Sequence, residues 1–269
     1  MDVAHDELTG LRDTAVTVAR EAAELVRAGR IAAIAEVDTK SSETDVVTAA
    51  DTAAEQLIRR RLAALRPGEP VLGEEGGGEL AADGLSWVVD PIDGTVNYLY
   101  GFPWYAVSVA VQRDGVSVAG AVVEPAGGRV WTAVRGRGAE CDGAPLRVSS
   151  CTRLELAMLA TGFSYQVERR RRQAAMMANV ITKVRDVRRA GAASLDLCAV
   201  AAGWTDGYAE HGLHRWDWAA GALIAQEAGA IVTLPGADPD LGDEVTFAAA
   251  PGIADALRGV LLDSGIAAV

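Results

Sequence analysis

The sequence predicts a layered sandwich of helices and sheets, of the α/β or α+β class. Two amphipathic helices come first, and strands joined by tight turns follow them. In the second half of the chain, strands and helices alternate. The chain has 269 residues, half of them hydrophobic, which is enough to bury a large core in one domain or in two fused halves.

The first two helices are predicted from periodicity. Apolar residues recur at helical spacing from about 7 to 28, and this pattern predicts an amphipathic helix that ends near Gly29. The stretch 36–48 is polar, and we expect a turn-like segment there. A second helix is predicted over 49–65, because Arg66 is followed by Pro-Gly, which stops a helix.

A largely antiparallel sheet is predicted for the rest of the first half. A short strand over 70–73 comes before a glycine-rich loop. The next strand begins at Trp87 and is predicted to end at Asp90, because Pro91 has no N–H for a sheet ladder. Further strands of this sheet are predicted over 105–112, 116–123 and 129–134.

The second half alternates between the two kinds of element. The pattern predicts strands near 157–161, 186–188, 206–210, 230–234 and 245–249. It predicts helices near 168–183, 192–202, 216–228 and 253–262.

The charge of the chain argues against nucleic acid as a partner. The net charge is -12, and a phosphate backbone is bound by clusters of Lys and Arg. An anionic substrate is compatible with this charge if a metal ion supplies positive charge. No apolar run approaches the length of a membrane span, and the first residues are acidic, so we expect a cytoplasmic protein without membrane contact.

One stretch, residues 87–97, carries most of the chemistry. Asp90 and Asp93 are two carboxylates at the end of a buried strand, and they repel each other unless a cation lies between them. A hard divalent cation with oxygen ligands is the usual solution. Gly94 allows close approach of the backbone, and Thr95 offers an N–H at a helix start, a natural anion site. The alternative is an Asp-Pro turn followed by an Asp-Gly turn.

Other acidic residues lie at element boundaries. Asp51 is at the start of the second helix, Glu74 and Glu75 follow a strand, and Asp217 opens a later helix. Carboxylates at strand ends and helix starts are placed to converge on one cleft. The alternative is that Asp51 and Asp217 only favour a helix dipole and that Glu74 and Glu75 are solvated loop residues.

Three segments together resemble the signature motifs of the inositol monophosphatase family, which belongs to the lithium-sensitive, Mg²⁺-dependent phosphatase superfamily. They are Gly73-Glu-Glu75, Trp87-Val-Val-Asp-Pro-Ile-Asp-Gly-Thr95 and Trp216-Asp-Trp-Ala-Ala-Gly221. The resemblance implies an α+β, five-layer αβαβα sandwich of the inositol monophosphatase/fructose-1,6-bisphosphatase type. It also implies one catalytic unit over 1–269, with halves of about 1–145 and 150–269 and the site between them, and a homodimer.

The same resemblance implies a cofactor of two or three Mg²⁺ ions. The implied ligands of the first ion are Glu74, Asp90 and the carbonyl of Ile92, and those of the second are Asp90, Asp93 and Asp217. Glu74 is implied for a weaker third ion, and Glu75 is a further candidate ligand. Lys40 lies where the family has a mobile lysine near the metals. For catalysis it implies Glu74, together with Thr95, whose hydroxyl orients the attacking water and donates to Asp51. The implied substrate contacts are Asp93, Gly94, Thr95, Gly191, Ala192, Ala193 and Glu210.

The expected activity is that of a phosphoric monoester hydrolase. The resemblance implies hydrolysis of a small phosphate ester by metal-activated water, with inositol-1-phosphate as the first candidate. Glu210, seven residues before Asp217, matches a family glutamate that binds inositol hydroxyls. Histidinol phosphate and fructose 1,6-bisphosphate are the alternative substrates. A non-catalytic regulatory protein on the same fold is the alternative of a different class.

Overall fold

The structure is a computed structural model that describes residues 3–33, 37–39 and 46–269. In that part of the chain the helices are α1 Val3–Ala33, α2 Ala49–Leu65, α3 Thr95–Tyr100, α4 Val167–Val180, α5 Ala193–Ala201, α6 Arg215–Glu227 and α7 Ala254–Asp263. The strands are β1 Val37–Thr39, β2 Val46–Thr48, β3 Val71–Gly73, β4 Leu85–Asp93, β5 Ala106–Arg113, β6 Val116–Val123, β7 Val130–Val134, β8 Ala139–Cys141, β9 Ala144–Pro145, β10 Met158–Thr161, β11 Asp186–Arg188, β12 Gly207–His211, β13 Ile231–Thr233 and β14 Val245–Ala249.

A seven-stranded sheet follows the order of the sequence from β3 to β9. β3 and β4 are parallel, and the other neighbours are antiparallel. Helices α1 and α2 cover one face of this sheet, because their apolar residues recur three and four positions apart. Leu11 and Val18 of α1 and Ile58 of α2 share one core with Trp87 and Val109 of the sheet.

The central layer consists of α5 and α6. Every residue of α5 is buried. Gly221 lets the two helices approach closely, since a Cβ at this position would lie 2.9 Å from the carbonyl oxygen of Ser194. Trp131 of β7 and Tyr208 of β12 belong to the same core, so α5 and α6 lie between the two large sheets.

A mixed five-stranded sheet has the order β11-β10-β12-β14-β13. Its outer face is covered by α4 and α7, where Met177 and Leu257 pack with Leu159 and Phe247 of the strands. The layers therefore run helix, sheet, helix, sheet, helix. This confirms the five-layer α+β sandwich. No helix in the described part of the chain is both long and apolar enough to span a bilayer.

The prediction that α1 ends at Gly29 is wrong, because the helix continues to Ala33. A glycine inside a helix costs only about 1 kcal/mol relative to alanine. The next residue anchors this last part of α1, since Arg30 Nε donates to Tyr98 O at 2.8 Å and Nη2 donates to Leu99 O at 3.2 Å. Tertiary contacts therefore outweigh the local signal.

The turn-like segment expected over 36–48 is also corrected. Its described residues form β1 and β2, which pair as a short antiparallel ladder from Val37↔Thr48 to Thr39↔Val46. Residues 40–45, including Lys40, lie outside the described residues.

The strand β4 does not end at Asp90 as predicted but continues to Asp93. Asp90 pairs with Ser108 and Asp93 pairs with Ala106, so β4 contains one residue more than β5 over this interval. Pro91 lies in this bulge, where a missing N–H is tolerated. In a regular strand, residues three apart point to opposite faces. The bulge brings the two aspartates to the same side.

Candidate active site

A cleft of about 460 Å³ opens where β4 ends and α3, α5 and α6 begin. It is lined by residues of both halves of the chain. The predicted site residues that line it are Glu74, Asp90, Ile92, Asp93, Gly94, Thr95, Gly191, Ala193, Glu210 and Asp217. Glu75, Asp51 and Ala192 are predicted site residues that do not line the cleft, and Lys40 lies outside the described residues.

Three aspartates form an acidic cluster in this cleft. Asp90, Asp93 and Asp217 each offer one carboxylate oxygen, and these oxygens lie within 4.8 Å of one another. Burial, and then the charge of Glu74, raise the pKa of Asp90 well above its ordinary value. Burial raises the pKa of Asp93 to about 6, and burial together with the charge of Asp93 raises the pKa of Asp217. A hard divalent cation fits this all-oxygen set and would relieve its repulsion.

Asp217 reaches the cluster because of its place in the first turn of α6. It is the third residue of the helix, and its Oδ2 accepts from the backbone N–H of His214 at 2.6 Å. This contact holds the carboxylate at the helix start, where it also lines the cleft. The alternative prediction was that Asp217 only interacts with the dipole of its helix. The contact with His214 is compatible with that role, but the role does not explain why Asp90 and Asp93 lie beside Asp217.

Thr95 begins α3, and its hydroxyl lies between two acceptors. Its Oγ1 is 3.2 Å from Oδ1 of Asp51 and 3.0 Å from the carbonyl oxygen of Ile92. Asp51 is fully buried, and its other oxygen accepts from the backbone N–H of Thr48 at 2.8 Å and from the Thr48 hydroxyl. The contacts with Thr48 at the start of α2 therefore fix the orientation of Asp51. Asp51 in turn holds the Thr95 hydroxyl, although it does not line the cleft itself.

Gly94 lies where the two halves of the chain are in close contact. Its φ is +91°, and a Cβ would lie 3.1 Å from Trp104 O and 3.2 Å from both Ala192 Cβ and Gly191 O. Only glycine fits such a position without strain. Ala192 therefore packs behind Gly94 instead of lining the cleft. Asn97 stabilises this contact between the two halves, because its Nδ2 donates to Trp104 O at 2.7 Å and to Ala190 O at 2.8 Å.

The loop that carries Glu74 is held by a residue that the sequence analysis missed. Glu55 is buried on α2, and its carboxylate accepts from the backbone N–H of Glu75 at 2.7 Å and of Gly76 at 2.8 Å. Arg59 pairs with the same carboxylate at 2.7 Å. The available signal was the spacing of four residues from Asp51, which places both acids on one helix face.

Glu210 also lines the cleft, near the end of β12. Its Oε2 accepts from the Tyr208 hydroxyl at 2.7 Å. Burial raises the pKa of Glu210 to about 7, although Tyr208 and Arg189 act in the opposite direction. A Cβ on Gly162 would lie 2.0 Å from the Glu210 carboxylate. Glycine at 162 is therefore what leaves room for this side chain.

A second buried acid near Glu210 was also missed. Asp196 on α5 is 2 % exposed, and its Oδ1 accepts from the indole N–H of Trp104 at 3.1 Å. Burial, and then the charge of Glu210, raise its pKa. Nothing in the sequence marks Asp196, because an acid in the first turns of a helix is ordinarily a surface residue.

Comparisons with known proteins find similarity over nearly the whole chain. The model of the inositol monophosphatase family matches residues 7–267. An inositol-1-monophosphatase of Mycobacterium leprae is 51% identical, and the match covers 97% of this chain and 96% of that protein. The solved structure of Mycobacterium tuberculosis SuhB has a TM-score of 0.83 and 46% identity, covering 96% of this chain and 97% of that one. A Pseudomonas aeruginosa protein named Nus factor SuhB is 43% identical over 81% of this chain and 83% of its own.

Proposed function

The chain belongs to the inositol monophosphatase family, and we propose on this premise that it hydrolyses inositol-1-phosphate to inositol and phosphate with Mg²⁺ as cofactor. The single observation that carries the proposal is the convergence of Asp90, Asp93 and Asp217 in one cleft. These oxygens suit Mg²⁺ better than Zn²⁺, which prefers nitrogen and sulfur ligands.

The proposed ligands are those implied by the family motifs. Glu74, Asp90 and the carbonyl of Ile92 would hold one ion, and Asp90, Asp93 and Asp217 a second, with a weaker third ion at Glu74. When bound, such ions lower the pKa of water and stabilise the charge that develops on the attacking and leaving oxygens. All of these residues line the cleft.

The chain's own groups would position the water and the phosphate. A hydroxyl has one proton to donate. If Thr95 donates it to Asp51, its lone pairs are available to accept from the attacking water. The backbone N–H groups of Gly94 and Thr95, at the start of α3, would bind the phosphate oxygens. Glu74 would assist on the side of the water.

The leaving group would lie toward Glu210. A carboxylate held by Tyr208 can accept hydrogen bonds from the hydroxyls of a cyclitol ring. Gly191 and Ala193, which also line the cleft, would contact the ring. This acceptor suits a polyol phosphate, whose hydroxyls donate hydrogen bonds, and the preference for inositol-1-phosphate over histidinol phosphate rests on the match of Glu210 to the family glutamate.

A panel of phosphate esters tests the substrate assignment. Inositol-1-phosphate, histidinol phosphate, fructose 1,6-bisphosphate and glycerol-2-phosphate are compared by phosphate release at fixed Mg²⁺. We expect the highest kcat/KM for inositol-1-phosphate. A clear preference for another ester would replace the proposed substrate, and no release from any of them would reject the activity.

A regulatory function is the second candidate, and one finding favours it, the similarity to a protein named Nus factor SuhB. The two functions can be separated by replacing the gene for this chain in its host with one that encodes Asp217→Asn, a variant expected to lack phosphatase activity. A regulatory phenotype that survives the loss of phosphatase activity would support this second function. A phenotype lost with the activity would reject it.

We also propose a homodimer and inhibition by Li⁺, both on the basis of the family motifs. Sedimentation velocity measures the oligomeric state. Kinetics at several Mg²⁺ concentrations measure the inhibition, and we expect Li⁺ to compete with Mg²⁺.

A further inference from the structure

Helix α5 has no cap within its own sequence. The residue before it, Ala192, has no side chain that could accept hydrogen bonds from the first N–H groups of the helix. Asp93, which is 100 residues earlier, provides the acceptor. Its Oδ1 accepts from the N–H of Ala193 at 3.2 Å, and its Oδ2 accepts from the N–H of Ser194 at 2.7 Å. The carboxylate at the end of β4 therefore caps a helix of the central layer.

The hydroxyl of Ser194 adds a third hydrogen bond to this carboxylate. Ser194 is fully buried, and its Oγ donates to the same Oδ2 that accepts from its backbone N–H. A carboxylate oxygen has about two lone-pair sites. In the part of the chain that the structure describes, Ser194 occupies both sites of Oδ2, whereas Oδ1 accepts from one donor, at the longer distance. Oδ1 is thus the oxygen of Asp93 with capacity for another partner.

We propose that Ser194 is a positioning residue for the cation site, which holds Asp93 so that only Oδ1 is available to a bound Mg²⁺. This inference rests on the proposed function for the identity of the ion. It assigns a role to a residue outside the family motifs, and it states that Asp93 ligates through one oxygen instead of two.

The hydroxyl can be separated from the helix cap. The two backbone N–H groups cap α5 whatever side chain is present at 194. Ser194→Ala keeps these groups and the Cβ, and it removes only the third hydrogen bond. A partner that orients a metal ligand typically contributes about 10- to 100-fold to metal affinity. Since the two backbone hydrogen bonds to Asp93 remain in Ser194→Ala, we expect a loss of metal affinity near the lower end of this range, about tenfold.

The experiment measures metal binding directly. Mg²⁺ and Mn²⁺ affinities of the metal-stripped full chain are determined by calorimetry for the wild type, Ser194→Ala and Ser86→Ala. Ser86 is a matched control, because it is 3 % exposed and its hydroxyl accepts from Ala81 N at 2.8 Å, in a loop contact at the beginning of β4. Ser194→Cys gives an intermediate case, since a thiol is a weaker donor.

We expect about tenfold weaker binding for Ser194→Ala, a smaller loss for Ser194→Cys and no change for Ser86→Ala. In turnover assays, the Mg²⁺ concentration for half-maximal activity should rise by a similar factor for Ser194→Ala, with kcat at saturating Mg²⁺ nearly unchanged.

Equal affinities for the wild type and Ser194→Ala, or an equal loss in Ser86→Ala, would overturn the proposal. A wild type that binds no divalent cation would overturn both this inference and the proposed function. A wild type that binds Mg²⁺ and hydrolyses no ester would reject the proposed function only, and the affinities would still decide the role of Ser194.

Discussion

Two parts of the cleft, named here the acidic end and the Glu210 end, contain carboxylates in different surroundings. At one end Asp90, Asp93 and Asp217 lie within 4.8 Å of one another, and burial together with the charges of neighbouring acids, Glu74 among them, raises their pKa values. At the other end Glu210 faces the hydroxyl of Tyr208 and is near the charge of Arg189. The first arrangement brings three carboxylates together and needs added positive charge, although Asp93 and Asp217 accept hydrogen bonds from backbone N–H groups. The second is one carboxylate beside a hydroxyl donor and a guanidinium. The groups around each carboxylate, more than its burial, therefore distinguish the proposed cation site from the proposed acceptor of substrate hydroxyls.

The two ends also differ in how they are built. The acidic end depends on the bulge in β4 and on the start of α6, two elements far apart in the sequence. The Glu210 end depends on β12 and on Gly162, which leaves the space that the carboxylate occupies. We expect substitutions at the acidic end to abolish turnover and substitutions at the Glu210 end to change substrate preference.

The largest effect is expected for Asp217→Asn. It removes one charge from the proposed cation site, so phosphate release should fall to background. Because the aspartates repel one another without metal, the melting temperature in EDTA should not fall and should rise if the repulsion is strong. Asp255→Asn, on an exposed aspartate in the first turn of α7, is the control and should keep its activity.

Glu210→Gln sharpens the contrast, because it also removes a carboxylate from the cleft and should retain measurable turnover. Near-normal turnover of folded Asp217→Asn at ordinary Mg²⁺ would contradict the difference between the two ends.

Thr95→Ala should have the next largest effect. The hydroxyl on Asp51 is proposed to position the water, and positioned proton acceptors contribute roughly 10²–10⁴ in rate. We expect kcat to fall by that order with little change in KM, and Thr95→Ser to retain most of the rate. Steady-state kinetics at saturating Mg²⁺ measure both constants. A change confined to KM would show that Thr95 only binds phosphate.

Glu210→Ala should have a smaller and substrate-dependent effect. A charge-assisted hydrogen bond contributes about 1.5–3 kcal/mol, or roughly ten- to a hundredfold in kcat/KM. The loss should appear with inositol-1-phosphate and be small with glycerol-2-phosphate, whose flexible leaving group places no hydroxyl firmly. Gly162→Ala should produce the same pattern, because a methyl group there displaces the carboxylate.

Equal losses on both esters would mean that Glu210 supports the structure of the site. No loss on either ester would remove Glu210 from the substrate contacts and would favour a different phosphate ester.

The smallest effect concerns stability and pH. The pKa of Glu210 is about 7 in the folded chain and 4.5 for an ordinary glutamate, so the folded state binds more protons between these values. Stability contributed by this group is therefore lost as pH rises from about 4.5 to about 7. In EDTA, the melting temperature of the wild type relative to Glu210→Gln should be lower at pH 8 than at pH 5. A difference that is constant with pH would show that Glu210 is not perturbed.

The sequence predicted best those elements whose signals are local. Helix α2 has the predicted bounds, because Thr48 caps it and Arg66 precedes a Pro-Gly pair. The end of β4 was predicted wrongly for the opposite reason. Asp-Pro is compatible with a strand end and with a bulge, and only pairing with β5 selects the bulge.

The same distinction applies to the site. The motif residues could be predicted from the sequence because their acids and glycines are adjacent within short segments. Ser194, Glu55 and Asp196 were missed because each acts on a partner that is distant in the sequence or is buried without a local signal. The contact between Ser194 and Asp93 spans 101 residues, and no periodicity reports such a pair.

The central claim is that the acidic end of the cleft binds a cation that drives hydrolysis of a phosphate ester. The most direct test is phosphate release from inositol-1-phosphate by the metal-stripped wild-type chain as Mg²⁺ is added. We expect no release without Mg²⁺ and a saturable increase as the ion is restored. Release at the full rate in the presence of a strong chelator would contradict the claim.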